Sequence, residues 1–275
     1  MAKLIIEAGQ TRKHYWRDLW RYRELFYFLA WRDLLVRYRQ TAVGLTWALL
    51  RPLLTMIILT VIFGRVAKLT VPGVPQPILV LAAMLPWQFF SNSLGDSSNS
   101  VVANANLISK IYFPRLIVPA SSLLVNLVDF FISFAMLFVI LLWYQYPLTW
   151  HFLFLPPLVV LSFLAALGPG LLITALNVKY RDFKYIIPFI VQFGLLVSPV
   201  GFSSSRITEN WGVQCRLLYS LNPIVGVIDG FRWAICAKEP FYWPGFLTSL
   251  AVIGLILVYG INYFRRVERK FADII

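Results

Sequence analysis

Six apolar stretches punctuated by clusters of Lys and Arg constrain this chain more than any other feature. Eighteen of its 25 Lys and Arg fall in four segments: nine before Val43, two in residues 110–115, three in 179–184 and four in 265–270. Six crossings of a bilayer would put all four segments on one side. Orientation follows Lys and Arg in short loops, so the four segments and both termini are expected to be cytoplasmic. With 59% hydrophobic residues, 13% charged residues and a mean hydropathy of +0.72, a soluble domain of this length could not cover its apolar surface. The chain reads as an all-α integral membrane protein. Its first 40 residues hold no apolar run followed by a small-residue cleavage site, so the first spanning helix is expected to direct insertion.

A spanning helix needs about 20 mostly apolar residues. Residues 46–66, 116–143, 152–176, 185–202 and 246–263 meet or approach that length. The sixth transmembrane helix is less plain, because 78–90 is apolar for 13 residues only and must continue into the polar stretch 91–108. Asn92, Asp96, Asn99 and Asn106 share one helical stripe by spacing, which should face protein or water. Hydrogen bonding between helices and the lining of a polar conduit both fit it. Asp129, near the middle of 116–143, also needs a partner or water, since an acid at that depth costs about 2.5 to 3.5 kcal/mol. A structural hydrogen-bonded Asp129 and a proton relay through Asp96 and Asp129 are the two options.

Ahead of the first span, residues 17–40 are rich in Trp, Tyr, Phe and Arg. Arg17, Arg21, Glu24, Arg32 and Arg39 gather on one arc of a helical wheel, with Phe28 and Leu35 interrupting it. An N-terminal amphipathic interface helix is expected here, serving as a lipid anchor or as a docking surface for a cytosolic partner. The last outer loop, 203–245, is too interrupted to span and too apolar to be free in water. Re-entrant or interfacial helices are expected there, with Leu221, Asn222, Pro223, Gly230, Phe231 and Arg232 as a candidate outer gate or a plain anchor. The division is therefore 1–43 as a cytoplasmic segment, 44–264 as the six-helix domain and 265–275 as a cytoplasmic tail.

Little points to chemistry inside the chain. His14 and His151 stand far apart without nearby Cys or carboxylate partners, so no metal site is expected. No Gly-x-x-x-x-Gly-Lys-Ser/Thr loop is present, and nothing suggests a nucleic-acid partner. Cys215 and Cys236 share the long outer loop, where a disulfide is an option in an oxidising compartment.

The ordered motifs carry a resemblance. Val36-Arg37-Tyr38-Arg39-Gln40-Thr41 with Gly44, Trp47-Ala48-Leu49-Leu50-Arg51-Pro52-Leu53 and Lys110-Ile111-Tyr112-Phe113-Pro114-Arg115 are followed by Asn177-Val178-Lys179-Tyr180-Arg181-Asp182 and Ser198-Pro199-Val200. Leu221-Asn222-Pro223, Gly230-Phe231-Arg232 and Arg265-Arg266-Val267-Glu268-Arg269 complete the set. Together they resemble the permease subunits of ABC-2 type polysaccharide exporters. The resemblance implies a homodimer in the bacterial inner membrane, contacting a separate cytosolic ATPase that binds the ATP and Mg; this chain would hold no cofactor. The substrate implied is a polysaccharide such as O-antigen on an undecaprenyl diphosphate carrier, with teichoic acid, capsule and small-hydrophobe exporters as runners-up. ATPase coupling is then expected at Ser109, Lys110, Ile111, Tyr112, Phe113, Pro114 and Arg115, in a short helix preceding Pro114 with Tyr112 and Phe113 as anchors. Arg37, Arg39 and Arg51 are the candidates for lipid-diphosphate recognition, since guanidinium suits bidentate phosphate contact. Trp87, Phe89 and Phe90, with Asn92 and Asp96, are the candidates for the substrate path.

Overall fold

A computed structural model describes residues 11–39, 44–180 and 182–271. Gln40, Thr41 and Arg181 of the motifs above, and the last four residues of the tail, lie outside the described residues. All regular structure among the described residues is helical: α1 (Thr11–Arg21), α2 (Arg23–Arg39), α3 (Gly44–Leu59), α4 (Gln76–Ala103), α5 (Ala105–Lys110), α6 (Ile117–Trp143), α7 (Leu155–Lys179), α8 (Phe183–Val197), α9 (Ser205–Tyr219), α10 (Pro223–Cys236) and α11 (Trp243–Val267). A π-helical turn extends α3 to Val66, and 3₁₀ turns precede α7 and follow α11.

Among the described residues, five helices are long and apolar enough to cross a membrane: Thr46–Val66, Gln76–Ala103, Ile117–Trp143, Trp150–Lys179 and Trp243–Val267. The doubtful sixth stretch proves the sounder one. Its 28-residue helix, α4, would reach about 42 Å at 1.5 Å per residue. The short element is α8, expected over 185–202 but only 15 residues long. At about 22 Å it falls short of a hydrocarbon core of about 30 Å. Pro199 explains the stop: Ser198 before it is extended, the conformation a residue preceding proline favours.

α4 is the hub, with α6, α7 and α10 packed around it and nearly every residue from Ile78 to Leu94 buried or half-buried. Much of its polar second half survives burial because small hydroxyls bond locally and α7 supplies further partners. Ser98 Oγ donates to the Gly95 carbonyl at 2.6 Å and Ser100 Oγ to that of Ser97 at 2.6 Å. From α7, Thr174 Oγ1 donates to the Ser97 carbonyl at 2.8 Å and Asn177 Nδ2 to that of Ser98 at 2.9 Å. Such bonds hold helices together where apolar burial against lipid offers little drive. The expected stripe divides accordingly. Asn92 and Asp96 are half-buried, Asn99 is exposed, and Asn106 belongs to α5, beyond the helix break at Asn104.

α7 and α11 cross with backbones almost touching. A Cβ on Gly260 would stand 2.5 Å from the Gly168 carbonyl oxygen, and one on Gly168 would stand 2.9 Å from the Leu257 backbone. Gly260→Val should therefore force the helices apart and cost about 1 to 3 kcal/mol, the range for overpacking. A fall in the detergent thermal midpoint checks this, with Gly254→Ala, which meets nothing within 4 Å, as control.

The last loop holds helices, as expected, but not as a surface layer. α10 does not lie on an outer surface but is enclosed by α4, α7 and α11, with Ile224, Val227, Ile228 and Phe231 fully buried. Asn222 caps it, its Oδ1 accepting from the Ile224 amide at 3.3 Å, and Gly230 lets Leu158 pack close. Arg232 then satisfies the irregular backbone after α8, donating to the carbonyls of Val200 at 2.9 Å and of Phe202. Backbone outside helices is tolerated at membrane depth where protein groups pair with it, as Arg232 does here. Among the six candidate gate residues, Leu221 alone is exposed; Gly230, Phe231 and Arg232 are locked into packing. Cys215 is exposed and Cys236 buried, and both are free thiols, so no disulfide joins them.

Candidate functional site

The first helices are not a detached surface layer. Leu29 of α2 is buried, Arg32 Nη2 donates to Asn104 Oδ1 at 2.8 Å, and the C-terminal turn of α2 reaches into the bundle. There Arg37 joins two acids from different helices. Its Nη2 donates to Asp96 Oδ2 of α4 at 2.5 Å, and its Nη1 to Asp129 Oδ2 of α6 at 2.6 Å and Asn126 Oδ1 at 2.9 Å. The Tyr38 hydroxyl donates to the other oxygen of Asp129. The acid that required a partner thus has two from a helix preceding the first span.

This cluster forms one wall of a cavity of about 610 Å³ between α2, α3, α4 and α6. Three stripes build the remainder: Trp47 and Arg51 on α3, Gln88, Phe89 and Asn92 on α4, and Asn126, Phe130 and Ser133 on α6. Trp47 and Arg51 are four apart, Gln88 and Phe89 are four and three before Asn92, and Asn126, Phe130 and Ser133 follow at four and three, so each set lies on one helix face. Arg51 has no ion-pair partner among the described residues, whereas the guanidinium of Arg37 is shared by Asp96 and Asp129. The cavity thus offers one cation without an ion-pair partner among the described residues, the exposed ring of Trp47 and side-chain amides in a concave space of ligand size.

Of the sequence candidates, Arg37, Arg51, Phe89, Asn92 and Asp96 meet here. Arg39 is exposed at the end of α2 and does not line the cavity. The rings of Trp87 and Phe90 meet at a tilt, 5.9 Å apart, on another face of α4, with Trp87 filling the space above Gly194 of α8. Tyr38, Trp47, Gln88, Asn126, Phe130 and Ser133 were missed. Two had a legible signal, since Asn126 and Ser133 flank Asp129 at helical spacing within an otherwise apolar segment.

The coupling segment also differs from expectation. The short helix is α5, ending at Lys110, and Ile111 to Arg115 form an irregular turn. Ile111 and Tyr112 are each 53% exposed, but Phe113 is 3% exposed. It packs in a second core with Tyr15, Leu29, Ile108, Phe264 and Phe271. Phe113 is therefore an internal anchor, and the outward apolar pair is Ile111 with Tyr112.

A model of the family described as ABC-2 type transporter matches residues 24–236. This chain belongs to that family. It is a membrane-embedded transport subunit, of the kind that works with a separate ATPase. Among its relatives, the O-antigen export system permease protein RfbA of Myxococcus xanthus is 28% identical over 259 residues, covering 94% of this permease and 97% of the relative. A protein of the same name from Klebsiella pneumoniae is 25% identical over 254 residues, covering 92% and 95%. The polysialic acid transport protein KpsM of Escherichia coli is 24% identical over 256 residues, covering 86% and 91%.

Proposed function

We propose that this chain is the membrane subunit of an ATP-driven exporter that moves a polyprenyl-diphosphate-linked, O-antigen-like polysaccharide across the bacterial inner membrane. It acts as a homodimer with a cytosolic ATPase that binds the ATP and Mg, and its termini face the cytoplasm with the four basic segments. The observation that carries the substrate reading is the cavity of Arg51, Trp47, Phe89 and Phe130. A phosphate–sugar junction needs a guanidinium for phosphate, aromatic rings for the apolar faces of sugars and amides for hydroxyls. Arg51, the exposed ring of Trp47, and Gln88 with Asn92 supply those groups, while Phe89 and Phe130 form the buried floor beneath them. Arg37 takes a different role from the one its position suggests, holding α2 to the acids of α4 and α6.

The relatives also favour a second substrate class, because one is named for polysialic acid transport, an acidic glycan. With Arg37 paired to Asp96 and Asp129, Arg51 is the cation left for an anion, which suits a phosphate on an otherwise uncharged glycan better than a polyanion. A proton relay is disfavoured by the geometry, since Asp96 and Asp129 are tied to the same guanidinium.

Reconstitution with the ATPase tests the reading. Arg51→Gln removes a charge-assisted contact, typically about 1.5 to 3 kcal/mol, so apparent affinity for the lipid-linked glycan should fall about 10- to 150-fold while Arg51→Lys retains part of it. Undiminished export by Arg51→Gln would remove the cavity from the substrate path. Transport by this chain alone under a pH gradient would replace the exporter with a carrier.

A further inference from the structure

Three segments far apart in sequence close on one another at the basic end. The Tyr15 hydroxyl of α1 donates to Glu268 Oε2 at 3.0 Å, and the Arg265 guanidinium lies 4.4 Å over the Tyr15 ring. From the turn after α5, Arg115 Nη1 donates to the Glu268 carbonyl, and its guanidinium stands 5.9 Å over the ring of Phe271. Phe271 is fully buried and meets Phe264 edge-on at 5.4 Å. The turn that exposes Ile111 and Tyr112 is thus fastened at its far end to α1 and to the residues following α11.

We infer that Tyr15, Arg115, Glu268 and Phe271 form a clasp that positions the coupling turn, so that movement imposed on Ile111 and Tyr112 reaches α11 as well as α6. The inference rests on reading this chain as an ATPase-driven permease. The physical case is mechanical. A turn with two exposed apolar side chains transmits force only if its base is held, and α6 begins immediately after Arg115, at Ile117. The clasp joins that base to a helix already fitted against α7 through Gly260 and Gly168. The residues after α11 are then part of the transmission apparatus and not a passive tail.

Burial pushes the Glu268 carboxyl up to about 7, although the Tyr15 hydroxyl and the guanidinium groups of Arg115, Arg265 and Arg269 all oppose that rise. A carboxyl raised on folding binds its proton more tightly in the folded state, so its contribution is full below the ordinary value near 4.5 and declines as pH rises through about 7. The clasp should be firmer at pH 6 than at pH 8. Glu268→Gln keeps an acceptor for Tyr15 and should abolish that difference.

The test has two arms. In the purified permease in lipid nanodiscs, Tyr15→Phe should speed amide exchange at Ile117 and Val118, which bond to the carbonyls of Pro114 and Arg115, about tenfold. Unchanged exchange would overturn the clasp whatever the chain transports. With the ATPase added, Tyr15→Phe should leave association and the KM for ATP within about twofold while export per ATP falls about tenfold, and Glu268→Gln should retain export. Wild-type export by Tyr15→Phe would overturn the positioning role. Absence of ATPase association in the unaltered protein would instead overturn the exporter reading, leaving the exchange result to judge the clasp.

Discussion

Replacing Arg37 with Gln should lower the yield of folded permease and abolish export, because it leaves Asp96 and Asp129 in one cavity without their shared cation. The size follows from intermediate burial. The side chains of Arg37, Asp96 and Asp129 are 34%, 39% and 25% exposed. Exposed pairs contribute about 0 to 1 kcal/mol and breaking buried ones costs about 3 to 5, so a loss of about 2 kcal/mol is expected here. α2 would lose its ionic tie to α4 and α6 at the same step, while keeping the bonds of Arg32 to Asn104 and of Tyr38 to Asp129. A triple variant, Arg37→Gln with Asp96→Asn and Asp129→Asn, removes the stranded charges and should recover folding yield without export. Monodispersity and thermal midpoint in detergent measure the first effect, and surface glycan the second. An Arg37→Gln protein that matches the unaltered one in both would show that the triad neither holds the bundle nor serves transport.

The two aromatic residues of the turn proposed to couple to the ATPase should fail in opposite ways. Phe113→Ala empties a position packed among Leu29, Ile108 and Phe264, and Phe-to-Ala changes in cores cost about 3 to 5 kcal/mol, so the protein should be lost to misfolding. Tyr112→Ala removes an exposed ring and should leave insertion and stability intact. It should weaken ATPase association by the amount typical of an interface anchor, about 1 to 3 kcal/mol, or roughly 5- to 150-fold. Quantitative pull-down separates the outcomes. Stable Phe113→Ala protein that fails only in ATPase binding would return Phe113 to the docking surface, and full binding by Tyr112→Ala would shift docking to the exposed aromatic residues of α2, among them Tyr27 and Trp31.

The helical class, five of the long apolar elements and the clustering of cations could be read directly from residue order, because each depends on the length and periodicity of one segment. Asp129 was recognisable as a residue requiring a partner for the same reason: its cost is local. Its partner was not, since Arg37 lies 92 residues away on a helix whose composition suggests only an interface. α8 was overestimated because hydropathy counts apolar residues after Ser198, where the chain has already left the helix. For α10 the sequence left re-entrant and interfacial placement open. An apolar stretch broken by Asn222-Pro223 and Gly230 resembles an interfacial segment in isolation, but Gly230 and Arg232 suit it to the interior once Leu158 and the carbonyls of Val200 and Phe202 are adjacent. Sequence by itself therefore determined which segments are helices and which side chains are expensive to bury, since both are properties of the chain and its solvent. Only the tertiary structure decided which of Arg37, Arg39 and Arg51 is committed, and whether Phe113 faces a partner or the protein's own core. Those outcomes rest on contacts between distant segments, which no local periodicity encodes.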